Sequence, residues 1–229
     1  MGWHAFPSSH IALRPTHSNH ASVAQYLYAK DLPELCELDE KWLRKEMGRP
    51  QNAEPKTRVA LIPDVKTMQW HHAREEFAAE QMLGRKADIK GAYSKTDAGD
   101  QTWCVWTCTF GSDEAGNTLN ILRLVIEGEE ICGSDGVEPA SLNVPSQKKV
   151  QGVAAVLSAA QLQAAEWNMK DVQIWNPTPL TILAARRIEP TSAVIHRDED
   201  SITSLRWHGA DPEECSRVQW VCNEKYGWC

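Results

Sequence analysis

The spacing of apolar and polar positions changes several times along the chain, and each change marks an element. Residues 33–47 place Leu35, Leu38, Trp42 and Leu43 at helical spacing, with Asp31 and Pro33 as a start signal and Gly48 as a stop. Residues 66–83 predict a second helix, with Trp70, Phe77 and Met82 among strong helix formers and Gly84 as its stop. The period then falls to two. Residues 87–93, 102–110 and 119–126 read as strands, joined by short Gly-, Asp- and Asn-containing connections that suit antiparallel hairpins. The most continuous helical stripe follows, through Val150, Val153, Leu157, Ala160, Ala164 and Trp167. A strand at 171–175, a helix at 177–187, a strand at 192–197 and a last strand at 218–222 complete the order. Two short β-prone runs, 23–28 and 58–62, precede them.

This order predicts an α+β (mixed α/β) fold with a single central mixed sheet flanked by helices. The strand–helix–strand step from 119 to 175 implies one parallel crossover. At 229 residues the chain is long enough to bury roughly 70% of its unfolded surface in one core. Residues 1–20, rich in Pro, Ser and His, read as a loosely ordered leader, and residues 21–229 as one domain.

Composition narrows the function classes. Apolar residues at 42% and charged residues at 24% are ordinary globular usage and exclude a mostly disordered chain. A formal net charge of −7 argues against a nucleic-acid partner, which needs a basic face, and suits a small cationic ligand. No apolar run approaches the roughly 18 residues of a membrane span, so no membrane association is expected. The leader lacks the apolar stretch of a secretory signal, and the 7 cysteines are odd in number and without CxxC spacing. Both features point to a reducing compartment, with the cytoplasm as the expected location. The cysteines read as buried small hydrophobes, and no metal site is expected. His71, His72, Glu75 and Glu76 read as a polar helix face.

Candidate chemistry gathers where the 119–126 strand runs toward the long helix. Glu127, Glu129 and Glu130 cluster at the strand end, and Lys148 and Lys149 open the helix beside Gly152. A helix N-terminus offers unpaired backbone N–H groups and a partial positive charge. Lysines there are unfavourable unless an anion compensates, and a glycine lets a phosphate approach the backbone. A solvated basic turn with an incidental glycine explains the same residues. Arg123, inside an apolar strand, either pairs with a carboxylate or lines a site.

Lys149-Val150-Gln151-Gly152-Val153-Ala154 resembles the Gln/Arg-x-x-Gly-x-Gly/Ala pyrophosphate loop of the GCN5-related N-acetyltransferases, or GNATs. The element order from about 22 to 198 is similar to the whole GNAT fold. Trp70–Glu76, Ile121–Val125, Trp175-Asn176-Pro177 and Asn223–Trp228 look like segments of fungal members related to the lysine N6-acetyltransferases. The resemblance implies acetyl-CoA as co-substrate, with its pyrophosphate on Lys149 to Ala154, a contact from Asn176, and its thioester carbonyl polarised by a backbone N–H of Leu124, Val125 or Ile126. It implies direct attack by a small amine, with Glu127 as first choice of base and Glu129 and Glu130 behind it; Glu129, Glu130 and, if it does not pair within the sheet, Arg123 would contribute to the acceptor site. The acidic cluster suits a cationic acceptor. The sequence departs from the family pattern in three ways. Lys149 replaces Gln or Arg, the 127–148 loop is long, and helix 177–187 lacks the Tyr that often protonates the leaving thiolate. These departures keep a second reading open, a non-catalytic acyl-CoA-binding module on the same fold. The resemblance also places the last strand in the main sheet, within a monomer rather than exchanged in a homodimer.

Overall fold

The computed structural model describes residues 3–18, 24–50, 56–96, 99–111, 116–129, 146–199, 201–206, 208 and 217–228. In chain order the elements are β1 (His4–Ala5), β2 (Ser9–Leu13), β3 (Gln25–Tyr28), α1 (Leu32–Met47), β4 (Thr57–Val59), α2 (Val65–Leu83), β5 (Ile89–Lys95), β6 (Gln101–Thr109), β7 (Thr118–Ile126), α3 (Gln147–Glu166), β8 (Asp171–Trp175), α4 (Pro179–Ile188), β9 (Val194–His196), β10 (Ser204–Leu205) and β11 (Val218–Trp220). Seven strands form one mixed sheet in the order β3–β5–β6–β7–β8–β2–β9. β5, β6 and β7 pair antiparallel as expected from their short connections, and β7 pairs parallel with β8 across the α3 crossover. The α+β expectation therefore holds.

α3 is the central helix. Its apolar stripe spreads into an almost fully buried run from Gly152 to Ala160, packed with α4 on one sheet face against Ile11, Leu13, Trp106, Leu119, Ile121 and Ile174. On the other face a smaller cluster joins Leu32 and Cys36 of α1, Met68 of α2, Trp103, Val105, Leu122, Val125 and Tyr226.

The structure corrects three expectations. The first 20 residues are not a loose leader throughout: β2 lies inside the sheet between β8 and β9, with Ile11 and Leu13 buried. Only two of its five side chains face the core, too few for a period-two signal against the surrounding Pro, Ser and His. The terminal strand does not complete the main sheet. β11 pairs parallel with β4 in a separate two-stranded sheet, over a small core of Phe6, Val218 and Trp220. α2 is turned opposite to its apolar pattern, burying Met68, His71, His72, Glu75 and Ala79 while Trp70 and Phe77 stay 49% and 69% exposed. The buried groups are partnered: His71 Nε2 lies 2.9 Å from Tyr226 O and His72 Nε2 2.9 Å from Trp106 O. Glu75 pairs with the buried Lys90 at 2.9 Å and accepts from Cys108 N at 2.7 Å. Among the described residues no group of three or more His, Cys, Asp or Glu side chains could hold a metal ion. No helix among them is long and apolar enough to cross a membrane.

Candidate functional site

A bulge in β7 creates the site. Val105 pairs with Arg123 and Trp106 with Ile121, so Leu122 is an extra residue without a partner on β6. The insertion shifts the side-chain alternation by one. Leu122, Arg123 and Val125 therefore turn toward the α1 face, whereas unbroken alternation would have sent Arg123 under α3. Pairing between β7 and β8 stops at Ile121 and Ile174, just short of the bulge. Beyond that point the two parallel strands part, and their carboxyl ends flank a split of the kind where open α/β sheets bind ligands.

Two helix N-termini border the split. α3 begins after Ser146, whose side chain makes no capping bond, and its first turn holds Lys148 and Lys149 with no acid. α4 begins after Thr178, which accepts from Thr181 N at 3.3 Å and donates from Oγ1 to Glu129 Oε1 at 2.9 Å. Gly128 turns the chain at a φ of 68°, a left-handed conformation that glycine adopts freely, and its missing side chain leaves room for Lys149 Nζ, 3.1 Å from where a Cβ would sit. Glu129, Lys149 and Thr178 thus converge from three elements. Burial raises the Glu129 carboxyl to about 7, against the opposing pull of the Thr178 hydroxyl and the Lys149 ammonium.

The other sequence candidates are placed differently. Glu127 is exposed and turned to the far side of β7, where its carboxylate accepts from Gln101 N at 3.0 Å. Glu130 lies outside the described residues. Arg123 is buried and bound by Asp39 of α1 through two 2.8 Å hydrogen bonds, and it also pairs with Glu224. Of the β7 amides, Leu124 N faces the split and donates to Glu224 Oε2 at 2.7 Å. Ile126 N faces the same way by strand alternation, and Val125 N faces β6. Asn176 follows β8 at the split, but its Oδ1 accepts from Ser9 N at 2.8 Å and its Nδ2 donates to Asn223 O. Gly152 is buried in α3 with its open side toward the sheet, where a Cβ would meet Thr102 Oγ1 at 3.2 Å. Its lack of a side chain serves helix–sheet packing. Val153 and Ala154 are buried in the core, Val150 is half-buried, and Gln151 is exposed.

Sequence reasoning missed the contribution of the last residues. Asn223 and Glu224 reach the split from the chain end and close it on the α1 side, and Tyr226 roofs the α1-face core with its hydroxyl on Leu61 O at 2.7 Å. Thr178 and Asp39 were missed as well. Thr178 alone had a signal, its place before Pro179 at a helix start. Beside the tail, a groove of about 760 Å³ is lined by Leu61, Ile62, Trp70, His71, Tyr226 and Trp228.

A central strand bulged at Leu122, a parallel neighbour that separates beyond it, and the N-terminus of the crossover helix aimed at the gap define a GNAT-type fold. Family comparison agrees: the LYC1 GNAT-like C-terminal domain matches residues 10–229, and the chain belongs to that family. No match was found among curated proteins or among solved structures.

Proposed function

We propose that the chain is an acetyl-CoA-dependent N-acetyltransferase acting on a small cationic amine. The observation that carries this reading is the split between β7 and β8, open beside an α3 N-terminus that has two lysines, no acid and no cap from Ser146. Backbone N–H groups of the first α3 turn, with Lys148 and Lys149, would hold the coenzyme pyrophosphate. An amine acceptor must lose a proton to attack a thioester, since an unperturbed lysine-type amine titrates near a pKa of about 10.4. Glu129 supports the role of base better than Glu127. It faces the split, and burial raises it to about 7, which matches a proton acceptor working near neutrality. Described cysteines near the split do not favour a thiol relay, since burial pushes Cys222 up to about 11 and Cys36 up to about 12.

One observation favours a second reading, a non-catalytic acyl-CoA-binding module. Leu124 N, the split-facing amide placed to polarise a thioester carbonyl, already donates to Glu224. Titration calorimetry with coenzyme A, followed by an acceptor screen reading thiol release and product mass, separates the two. Transferase function predicts binding that weakens more than about tenfold in a Lys148→Glu/Lys149→Glu double variant. It also predicts turnover that falls on the order of 10²- to 10⁴-fold in Glu129→Gln. Binding without turnover on any amine would establish the module; absence of binding would sink both readings.

A further inference from the structure

Around Trp175, on the sheet face opposite α3, five buried polar atoms lack a hydrogen-bond partner among the described residues: Nε, Nη1 and Nη2 of Arg197, Nε1 of Trp175 and Nδ1 of His10; a sixth on that face, the acceptor Asp171 Oδ1, lies four residues back along β8. Register brings them together. His10 of β2 is the partner of Trp175 on β8 and of Ile195 on β9, and Arg197 follows Ile195 by two positions. The guanidinium carbon lies over the Trp175 indole, 3.7 Å from the ring centroid, and Lys225 Nζ sits 4.3 Å from the same ring. Burial holds the Arg197 and His10 pKa values down, and for His10 the Arg197 charge is the next cause. An indole face partly offsets a desolvated guanidinium, but it satisfies none of the N–H groups.

Chemistry specifies what is missing. Four of the five atoms can only donate, so the complement must be an acceptor. A planar cationic fork selects an oxyanion that takes two parallel hydrogen bonds. We propose that Arg197, Trp175 and His10 form a binding site for a small-molecule oxyanion, a carboxylate or a phosphate group. Trp175 immediately precedes Asn176, so the site adjoins the split without using Glu129, Lys149 or the α3 N-terminus. It is therefore separate from the proposed coenzyme site and stands or falls independently of acetyl transfer.

The test is thermal unfolding of the full chain in sodium phosphate and in sodium acetate, each at the ionic strength of a sodium chloride reference. Wild type should show a saturable rise in midpoint with at least one of the two anions above the chloride response. The anion that gives it identifies the source of the oxyanion. Both arms are run in a Lys148→Glu/Lys149→Glu background, which silences the α3 N-terminus, and there Arg197→Met should show no such rise. Arg197→Lys, which keeps charge but loses the fork, should bind at least about tenfold more weakly, and it decides the matter if Arg197→Met does not fold. A wild-type response no larger than chloride gives, or equal affinities for wild type and Arg197→Lys, overturns the proposal.

Discussion

Glu129 and His72 are both shifted by burial, in opposite directions, and each makes a prediction of known sign. A base raised to about 7 acts only when deprotonated, so turnover should climb with pH through about 7, and Glu129→Gln should lose that limb of the profile. In folding, a raised carboxyl favours the protonated native state. Its stabilisation is full below the unfolded value of 4.5 and is lost as pH rises to about 7. His72 runs the other way. Burial lowers it from 6.5 to about 4, so its neutral form stabilises the fold above 6.5, and that contribution disappears as pH falls through 4. Urea midpoints measured from pH 7 to pH 4 should therefore decline less in His72→Gln than in wild type. An identical decline in both would assign acid sensitivity elsewhere. At this scale the sequence supplied residue types and little geometry. It put Glu127 first because Glu127 ends the strand, but side chains two apart on a turn face different neighbours. Only the Gly128 turn shows that Glu129 is the one beside Lys149 and Thr178.

Among the elements, α2 shows how a pattern can be correct about helicity and wrong about orientation. Periodicity placed a helix at 66–83, against the observed Val65–Leu83, yet His71, His72 and Glu75 face inward. They can do so because β5, β6 and the chain end offer Lys90, the Cys108 amide, the Trp106 carbonyl and the Tyr226 carbonyl, partners invisible from the α2 segment. The Glu75–Lys90 pair is only 1% exposed at both side chains, so removing one partner strands a buried charge. Lys90→Met should lower unfolding free energy by about 3–5 kcal/mol, and Glu75→Gln in the same chain should restore part of it. Denaturant unfolding of the two singles and the double measures this as a cycle. Independent, additive effects would show that the ions are not coupled. The exposed Trp70 and Phe77 follow from the same choice: a helix has one face to bury, and the polar network occupies it.

For the whole molecule, the chain end is structural. Trp220 and Tyr226 are buried in two different clusters, Glu224 satisfies both Arg123 and Leu124 N, and Asn223 bonds Asn176 and Thr203. A chain ending at Asp211 loses all of these. Each buried aromatic alone is worth about 3–5 kcal/mol, and a domain's total stability is about 5–15 kcal/mol. Such a chain should show no cooperative unfolding transition by circular dichroism. If it instead stays folded and only changes its mass in light scattering, the tail would be an intermolecular element. A milder change, Glu224→Gln, keeps the acceptor for Leu124 N but removes the charge opposite Arg123. It should lower stability less than Arg123→Met, which leaves both Asp39 and Glu224 without their partner.

Local pattern was enough for the elements whose signal lies within one segment: the two N-terminal helices, the β5–β7 hairpins, the parallel crossover through α3, and with them the fold class. Periodicity and turn chemistry act over a few residues, and these elements obey them. The family resemblance was likewise legible, because it rests on the order of those elements and on short segments such as Lys149–Ala154. Tertiary structure decided the rest. β2 and β11 are too short to announce their partners, and a strand's place in a sheet depends on which edge is left open. The bulge at Leu122 shows no glycine or turn residue in sequence, yet it chooses the face that receives Arg123. Glu224 meets Leu124 across a hundred residues of chain, a contact that only packing can make.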